Sequence, residues 1–153
     1  MSLDAEAALS DFPSTTARVA LPAEMAAREH IESFWAAMRA NDWKAAAEHL
    51  AEDCIVDWPC SGERIVGRSA FAAIQATYPT NTGRWSFDIH RLVADGDTAV
   101  SEITVSDGEQ SARLVAISLL RDGLIAEQIE YWPGPTDPLP GREHLTQPIP
   151  RVP

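Results

Sequence analysis

Residues 85–132 read WSFDIHRLVADGDTAVSEITVSDGEQSARLVAISLLRDGLIAEQIEYW, and the reading of this stretch decides the fold. Three Asp-Gly pairs, Asp95-Gly96, Asp107-Gly108 and Asp122-Gly123, divide it into 85–94, 98–106, 110–121 and 124–132, each rich in residues that suit strands. Asp-Gly marks a tight hairpin because primed turns require positive φ, which both residues tolerate. The spacing predicts a four-stranded antiparallel meander. If each pair is a two-residue turn, opposed residues sum to 191, 215 and 245 across the three hairpins, and the side-chain faces follow. One face then carries Phe87, Ile89, Val100, Glu102, Thr104, Arg113, Val115, Ile117, Gln128, Glu130 and Trp132, with Trp85 if the alternation extends that far. The other carries Leu92, Ile103, Val105, Leu114, Ala116, Leu120, Ile129 and Tyr131. Two apolar faces are unlike an antiparallel sheet left half in water, so each needs a cover.

Upstream of the meander the pattern is helical. Pro22 stands where a helix can begin, and Ala27, Ile31, Phe34, Trp35 and Met38 recur as one apolar stripe. Asn41 and Asp42 interrupt it. Asp42 can cap a second, shorter helix bearing Trp43, Ala47 and Leu50. Residues 54–58 read as a brief strand stopped by Pro59, and 59–67 as a loop. Ser69 can cap a third helix that carries Phe71, Ile74 and Tyr78 and ends at Pro79. Residues 1–21 read as a loose arm with a short helix around Leu3 to Leu9, and 134–153 as an extended tail, since seven of the chain's 11 prolines lie from Pro133 onward. The expectation is one α+β domain over 22–133, three helices packed on a curved antiparallel sheet.

Composition narrows the function. A chain of 153 residues buries roughly 70% of its unfolded surface, enough for one core. The net charge of −11 leaves Lys44 and the scattered arginines without a basic stripe, so neither nucleic acid nor an anionic membrane is an expected partner. No apolar run approaches a membrane span and the start lacks a basic n-region, which reads as cytoplasmic. Cys54 and Cys60 fit neither a CxxC pair nor a zinc site, and two free thiols are expected. His30, His49 and His144 suggest no metal site. A GxSxG elbow, a phosphate-cradling glycine loop, a dinucleotide fingerprint and a HExxH helix are all missing from the sequence, so no cofactor is expected.

The order helix, helix, short strand, helix, meander resembles the nuclear transport factor 2-like superfamily, in particular its SnoaL-like polyketide-cyclase branch. The carriers are Ala40-Asn41-Asp42-Trp43, the stretch from Asp57-Trp58-Pro59 to Val66-Gly67-Arg68, and Arg121-Asp122-Gly123-Leu124-Ile125 leading into Glu130-Tyr131-Trp132-Pro133. The resemblance covers about 23–133 and implies a cystatin-like α+β barrel: a cone of bent sheet, closed by helices around a cavity that serves cyclases, isomerases, hydratases, epoxide hydrolases and non-catalytic binders. Ketosteroid isomerases of this superfamily place a carboxylate base immediately before the proline of the first strand, where this chain has Trp58, and an oxyanion-stabilising Tyr where it has Phe34. SnoaL-like cyclases often carry a His and an Asp two residues apart on the last strand. Gln128 and Glu130 hold those places here, and only Glu130 can exchange a proton.

The register sets Glu102 opposite Arg113, with Glu130 one diagonal step away. Two carboxylates sharing a guanidinium in an apolar cone can be driven to different pKa values, so this trio is the candidate catalytic group, with Glu130 transferring the proton and Glu102 and Arg113 tuning it. The competing reading is a paired ion network that only fixes register. Trp35, Trp58, Trp85, Phe87 and Trp132, with Gln128, are the candidate ligand-binding residues for a small apolar molecule. Three of the five aromatics are expected to touch a cavity and two to fill space. His90 falls on the other face unless a bulge near Arg91 reverses it. The second apolar face is expected to meet another copy of itself in a homodimer, or else the tail. The functional readings are an acid/base lyase, isomerase or cyclase, a non-catalytic binding domain, and a partner-binding scaffold.

Overall fold

A computed structural model describes residues 22–153, with side chains from residue 26 onward; the expected arm and its short helix around Leu3 to Leu9 lie outside the described residues. Helix α1, Pro22–Arg39, turns Ala27, Ile31, Phe34, Trp35 and Met38 into the core, the stripe its spacing predicts. Asn41 ends it with φ of 56°, a left-handed position that Asn tolerates. Asp42 accepts from the Ala45 amide at 3.0 Å and starts α2, Trp43–Ala47. This helix has only five residues because Leu50 already belongs to β1, Leu50–Trp58, a longer strand than the expected 54–58.

The segment expected to be a loop after Pro59 contains β2, Glu63–Val66, folded back so that Trp58 opposes Glu63. Helix α3, Arg68–Thr77, starts at Gly67 with φ of 87° and has no side-chain cap, so Ser69 lies inside the helix. Strands β3 (Ser86–Asp95), β4 (Thr98–Ser106), β5 (Ser111–Arg121) and β6 (Leu124–Tyr131) form the meander. The six strands make one curved, unclosed sheet in the order β2-β1-β6-β5-β4-β3, antiparallel except for β1 beside β6. Helices α1 and α3 cover one face. No helix among the described residues is long and apolar enough to cross a membrane.

The hairpins differ from the two-residue reading in ways that relocate half the candidate site. Asp95 opposes Thr98, so the first turn is Gly96-Asp97, and Ser106 opposes Ser111, so the second is a four-residue loop. Only the third, with Arg121 opposite Leu124, turns at its Asp-Gly pair as expected. These slips are even and preserve the faces. Two bulges do not. Ile89 opposes Ile103 while Arg91 opposes Glu102, which leaves His90 as an extra residue in β3. Leu119 opposes Glu127 while Leu120 opposes Ile125, which leaves Ala126 extra in β6. One extra residue turns every side chain beyond it to the other face and bends the strand, which is how the sheet acquires its curvature.

Phe87, Gln128 and Glu130 therefore join Ile103, Leu114 and Ala116 on the helix-covered face, whereas Ile129 and Tyr131 join Glu102, Arg113, Val115 and Ile117 on the outer one. The face expected to meet another copy, with Ile103, Val105, Leu114 and Ala116, is thus the one the helices cover, and the face expected to line the cavity, with Glu102 and Arg113, is the outer one. The tail beyond Pro133 is exposed apart from half-buried Val152, with one short turn at Glu143–Leu145. It leaves Val93, Leu119 and Tyr131 on the outer face uncovered.

Candidate functional site

The end of the sheet where β1 and β6 finish side by side carries the chemistry. Parallel pairing sets Asp57 against Ile129, which brings Trp58 alongside Glu130. The Trp58 indole N–H donates to Glu130 Oε2 at 2.7 Å, and the Trp132 indole donates to the same oxygen at 3.3 Å. Oε1 accepts from Gln128 Nε2 at 2.7 Å, and Gln128 Oε1 accepts from the Ser118 hydroxyl at 2.7 Å. Glu130 is 3% exposed, and Gln128 and Ser118 are fully enclosed. Among the described residues the partners of its carboxylate are three neutral donors, with no cation among them. Burial pushes the carboxyl above its ordinary pKa, against the opposing pull of the Gln128, Trp58 and Trp132 hydrogen bonds. A carboxyl so placed holds a proton at higher pH than an ordinary glutamate, which suits it to giving or taking one.

Partly exposed aromatic rings lie next to it. Trp58 meets Tyr78 edge to face with centroids 6.4 Å apart, and Tyr78 meets Trp85 in the same manner at 5.9 Å. Tyr78 is half exposed, at 50%. Two polar clasps hold this wall. Asn41 donates to the Trp85 carbonyl at 2.7 Å and accepts from the Trp85 amide at 2.8 Å, tying the α1–α2 turn to the start of β3. Asp107 accepts from the amides of Asn81, Glu109 and Gln110 and from the Thr80 hydroxyl, joining the loop before β3 to the loop after β4. Those hydrogen bonds, led by the Gln110 amide, hold its carboxyl well below the usual carboxylate range.

The expected trio is divided. Glu102 and Arg113 pair at 2.8 Å, and Arg91 approaches Glu102 at 3.6 Å, but all three lie on the outer face, across the sheet from Glu130. Arg113 opposes Thr104 and Glu102 opposes Val115, so the pair is diagonal, and the β6 bulge removes Glu130 from it. Neither residue touches the carboxylate it was expected to tune. Among the candidate ligand-binding residues, Trp58, Trp132 and Gln128 contact Glu130, with Gln128 buried, and Trp85 joins them through Tyr78. Trp35 and Phe87 are core residues: Trp35 donates to Ser101 at 3.0 Å, and the two rings lie 6.2 Å apart. His90, the bulged residue, contacts Thr104 Oγ1 at 2.7 Å, away from the carboxylate. Cys54 is buried, Cys60 is exposed, and both are free thiols. Ser118 is not singled out by the sequence, which reads Tyr78, Asn41 and Asp107 as helix, helix-break and turn residues and not as part of a site. Inward-facing Ser118 becomes legible only once the bulge sets it opposite Gln128.

Residues 31–128 match the model of the SnoaL-like domain. The chain belongs to the SnoaL-like domain family. This places it in the nuclear transport factor 2-like superfamily, and the match ends two residues short of Glu130. A search of curated proteins finds no match. Among solved structures, this SnoaL-like chain is similar to a Kribbella flavida DSM 17836 protein described as a candidate ketosteroid isomerase, with 29% identity and a TM-score of 0.77 over 83% of this chain and 92% of that one. A Burkholderia xenovorans LB400 NTF2-like protein of unknown function shares 27% identity at a TM-score of 0.69, over 84% of this chain and 98% of that one. An M. tuberculosis LEH-like epoxide hydrolase, at 24% identity and a TM-score of 0.60 over 73% and 86% of the two chains, shares the fold.

Proposed function

We propose that this SnoaL-like domain is a cofactor-independent acid/base catalyst, a lyase, isomerase or cyclase acting on an apolar polyketide- or terpene-like compound, with Glu130 as the proton-transfer residue. The observation that carries this is a buried carboxyl contacted by three neutral donors beside a partly exposed aromatic wall. Gln128 and Trp58 orient the carboxylate, while Glu102 and Arg113 lie across the sheet and do not tune it. The likeness to a candidate ketosteroid isomerase supports the reaction class, although Trp58 and Phe34 replace the residues that such enzymes use.

The test is deuterium incorporation from D2O into apolar enones and other neutral carbon acids, followed by mass spectrometry. Glu130→Gln is expected to slow exchange by about 10²- to 10⁴-fold, the usual weight of a general acid/base. Exchange at the solvent background rate in the native protein favours the second reading, a non-catalytic binding domain. That reading draws on the fact that both carboxylate oxygens already have partners. For the outer face we propose a second copy of the chain, stacked through Val100, Val115, Ile117 and Ile129. A self-complementary sheet face flanked by Arg113–Glu102 and Arg64–Asp57 pairs suits a two-fold contact.

A further inference from the structure

Oxygen Oε2 of Glu130 is the one atom of the site on which two ring N–H groups converge, and the two are held unequally. Trp58 belongs to β1, has β2 on one side and β6 on the other, and donates at 2.7 Å. Trp132 follows the last residue of β6, is half-buried, donates at the long distance of 3.3 Å, and leads into Pro133 and the exposed tail. Proline cannot extend the ladder, so backbone pairing that would pin Trp132 ends where its side chain begins to matter. A carboxylate oxygen accepts along two lone-pair directions. Both directions on Oε2 are occupied, so a ligand donor reaching this oxygen must displace one indole, and Trp132 is the weaker holder.

We infer that Trp132 is a displaceable stand-in for the ligand, and that the site takes a flat, neutral aromatic or conjugated ring whose edge carries an N–H or O–H aimed at Glu130 Oε2. The inference rests on the reading of Glu130 as the working carboxyl and adds the ligand class to it. The present occupant of the position has that chemistry: a planar ring donating through its edge to a buried carboxylate. Trp58 remains in place to share the oxygen, and the Trp58–Tyr78–Trp85 array supplies ring edges and faces beside it. A ring of the same shape without the donor would leave Oε2 of the buried Glu130 one partner short, and that deficit discriminates strongly between isosteres.

The experiment compares indole with benzofuran, rings of matched size of which only indole donates, by calorimetric titration of the native protein and of Trp132→Phe. Native protein is expected to bind indole roughly tenfold or more tightly than benzofuran, the weight of one hydrogen bond to a buried carboxylate. Trp132→Phe, which keeps a ring but cannot donate, is expected to bind both rings about threefold or more tightly than native protein and to keep the preference for indole, because the internal competitor that either ring must displace is gone. In the native protein the Trp132 Nε1–H resonance moves when indole is added, a readout that does not depend on how the variant folds. Equal affinity for the two rings, no binding of either at millimolar concentration, or an unmoved Trp132 resonance overturns the inference. These outcomes separate from those of the exchange assay: a preference for indole with no Glu130-dependent exchange upholds the recognition and removes the catalysis, and exchange without the preference does the reverse.

Discussion

Replacing Trp58 by Phe removes the 2.7 Å hydrogen bond to Glu130 Oε2, keeps an aromatic ring in β1, and leaves that oxygen with the 3.3 Å contact from Trp132. A hydrogen bond to a charged acceptor contributes about 1.5–3 kcal/mol and one to a neutral acceptor about 0.5–1.5 kcal/mol. The smaller ring at a half-buried position costs about 1 kcal/mol at any pH. The variant is therefore expected to be about 3 kcal/mol less stable where Glu130 is ionised and about 2 kcal/mol less stable where it is protonated. The sign follows from linkage. Glu130 has a raised folded pKa, so its contribution is full below the unfolded value of about 4.3 and is lost as pH rises through the folded value. Without the Trp58 donor the folded value climbs further, and the loss continues to higher pH. Urea unfolding followed by far-ultraviolet circular dichroism, at one protein concentration and from about pH 4 upward through the folded midpoint, gives the curve. A destabilisation that is the same at every pH, or absent, refutes the reasoning.

Three further outcomes are expected. Asn41→Ala loses both bonds to the Trp85 backbone and the short polar side chain that lets Asn tolerate φ of 56°, for about 3 kcal/mol in urea unfolding, whereas Asn41→Gly, free of the backbone strain, keeps the loss to about 2 kcal/mol. Asp107→Ala leaves the amides of Asn81, Glu109 and Gln110 without their acceptor, and hydrogen exchange at those three is expected to speed up together; equal protection in both proteins contradicts the clasp. Ile117→Glu, on the outer face opposite Ile129, is expected to sediment as a monomer with unchanged circular dichroism while the native chain sediments as a dimer, and a native monomer removes the proposed self-contact.

Much of the architecture was legible from periodicity alone. The α1 stripe, the capping Asp42, the four meander strands and the third hairpin turn rest on local chemistry that a sequence displays. Strand β2 was not legible, since Glu63–Val66 is short and has just one buried residue, Ile65. Leu50 fits a helical stripe and a strand equally well, and sheet pairing decided for the strand. The consequential difference is the bulge at Ala126. Nothing about Leu124-Ile125-Ala126-Glu127 announces an extra residue, yet its insertion carries Gln128 and Glu130 from the outer face to the inner one. Glu130 thus remains the candidate acid while its expected tuning partners, Glu102 and Arg113, stay behind. The bulge follows from a tertiary demand, the bend that lets β5 and β6 wrap the core, and a residue-by-residue alternation cannot contain it.

The central claim is that Glu130 keeps its proton beyond the range of an ordinary glutamate. A carbon-detected titration of the glutamate side-chain carboxyls, with Glu130 assigned by its absence in Glu130→Gln, reads this directly. The expected result is a Glu130 midpoint clearly above the value of an unperturbed glutamate, about 4.3. A Glu130 midpoint at or below that value contradicts the account.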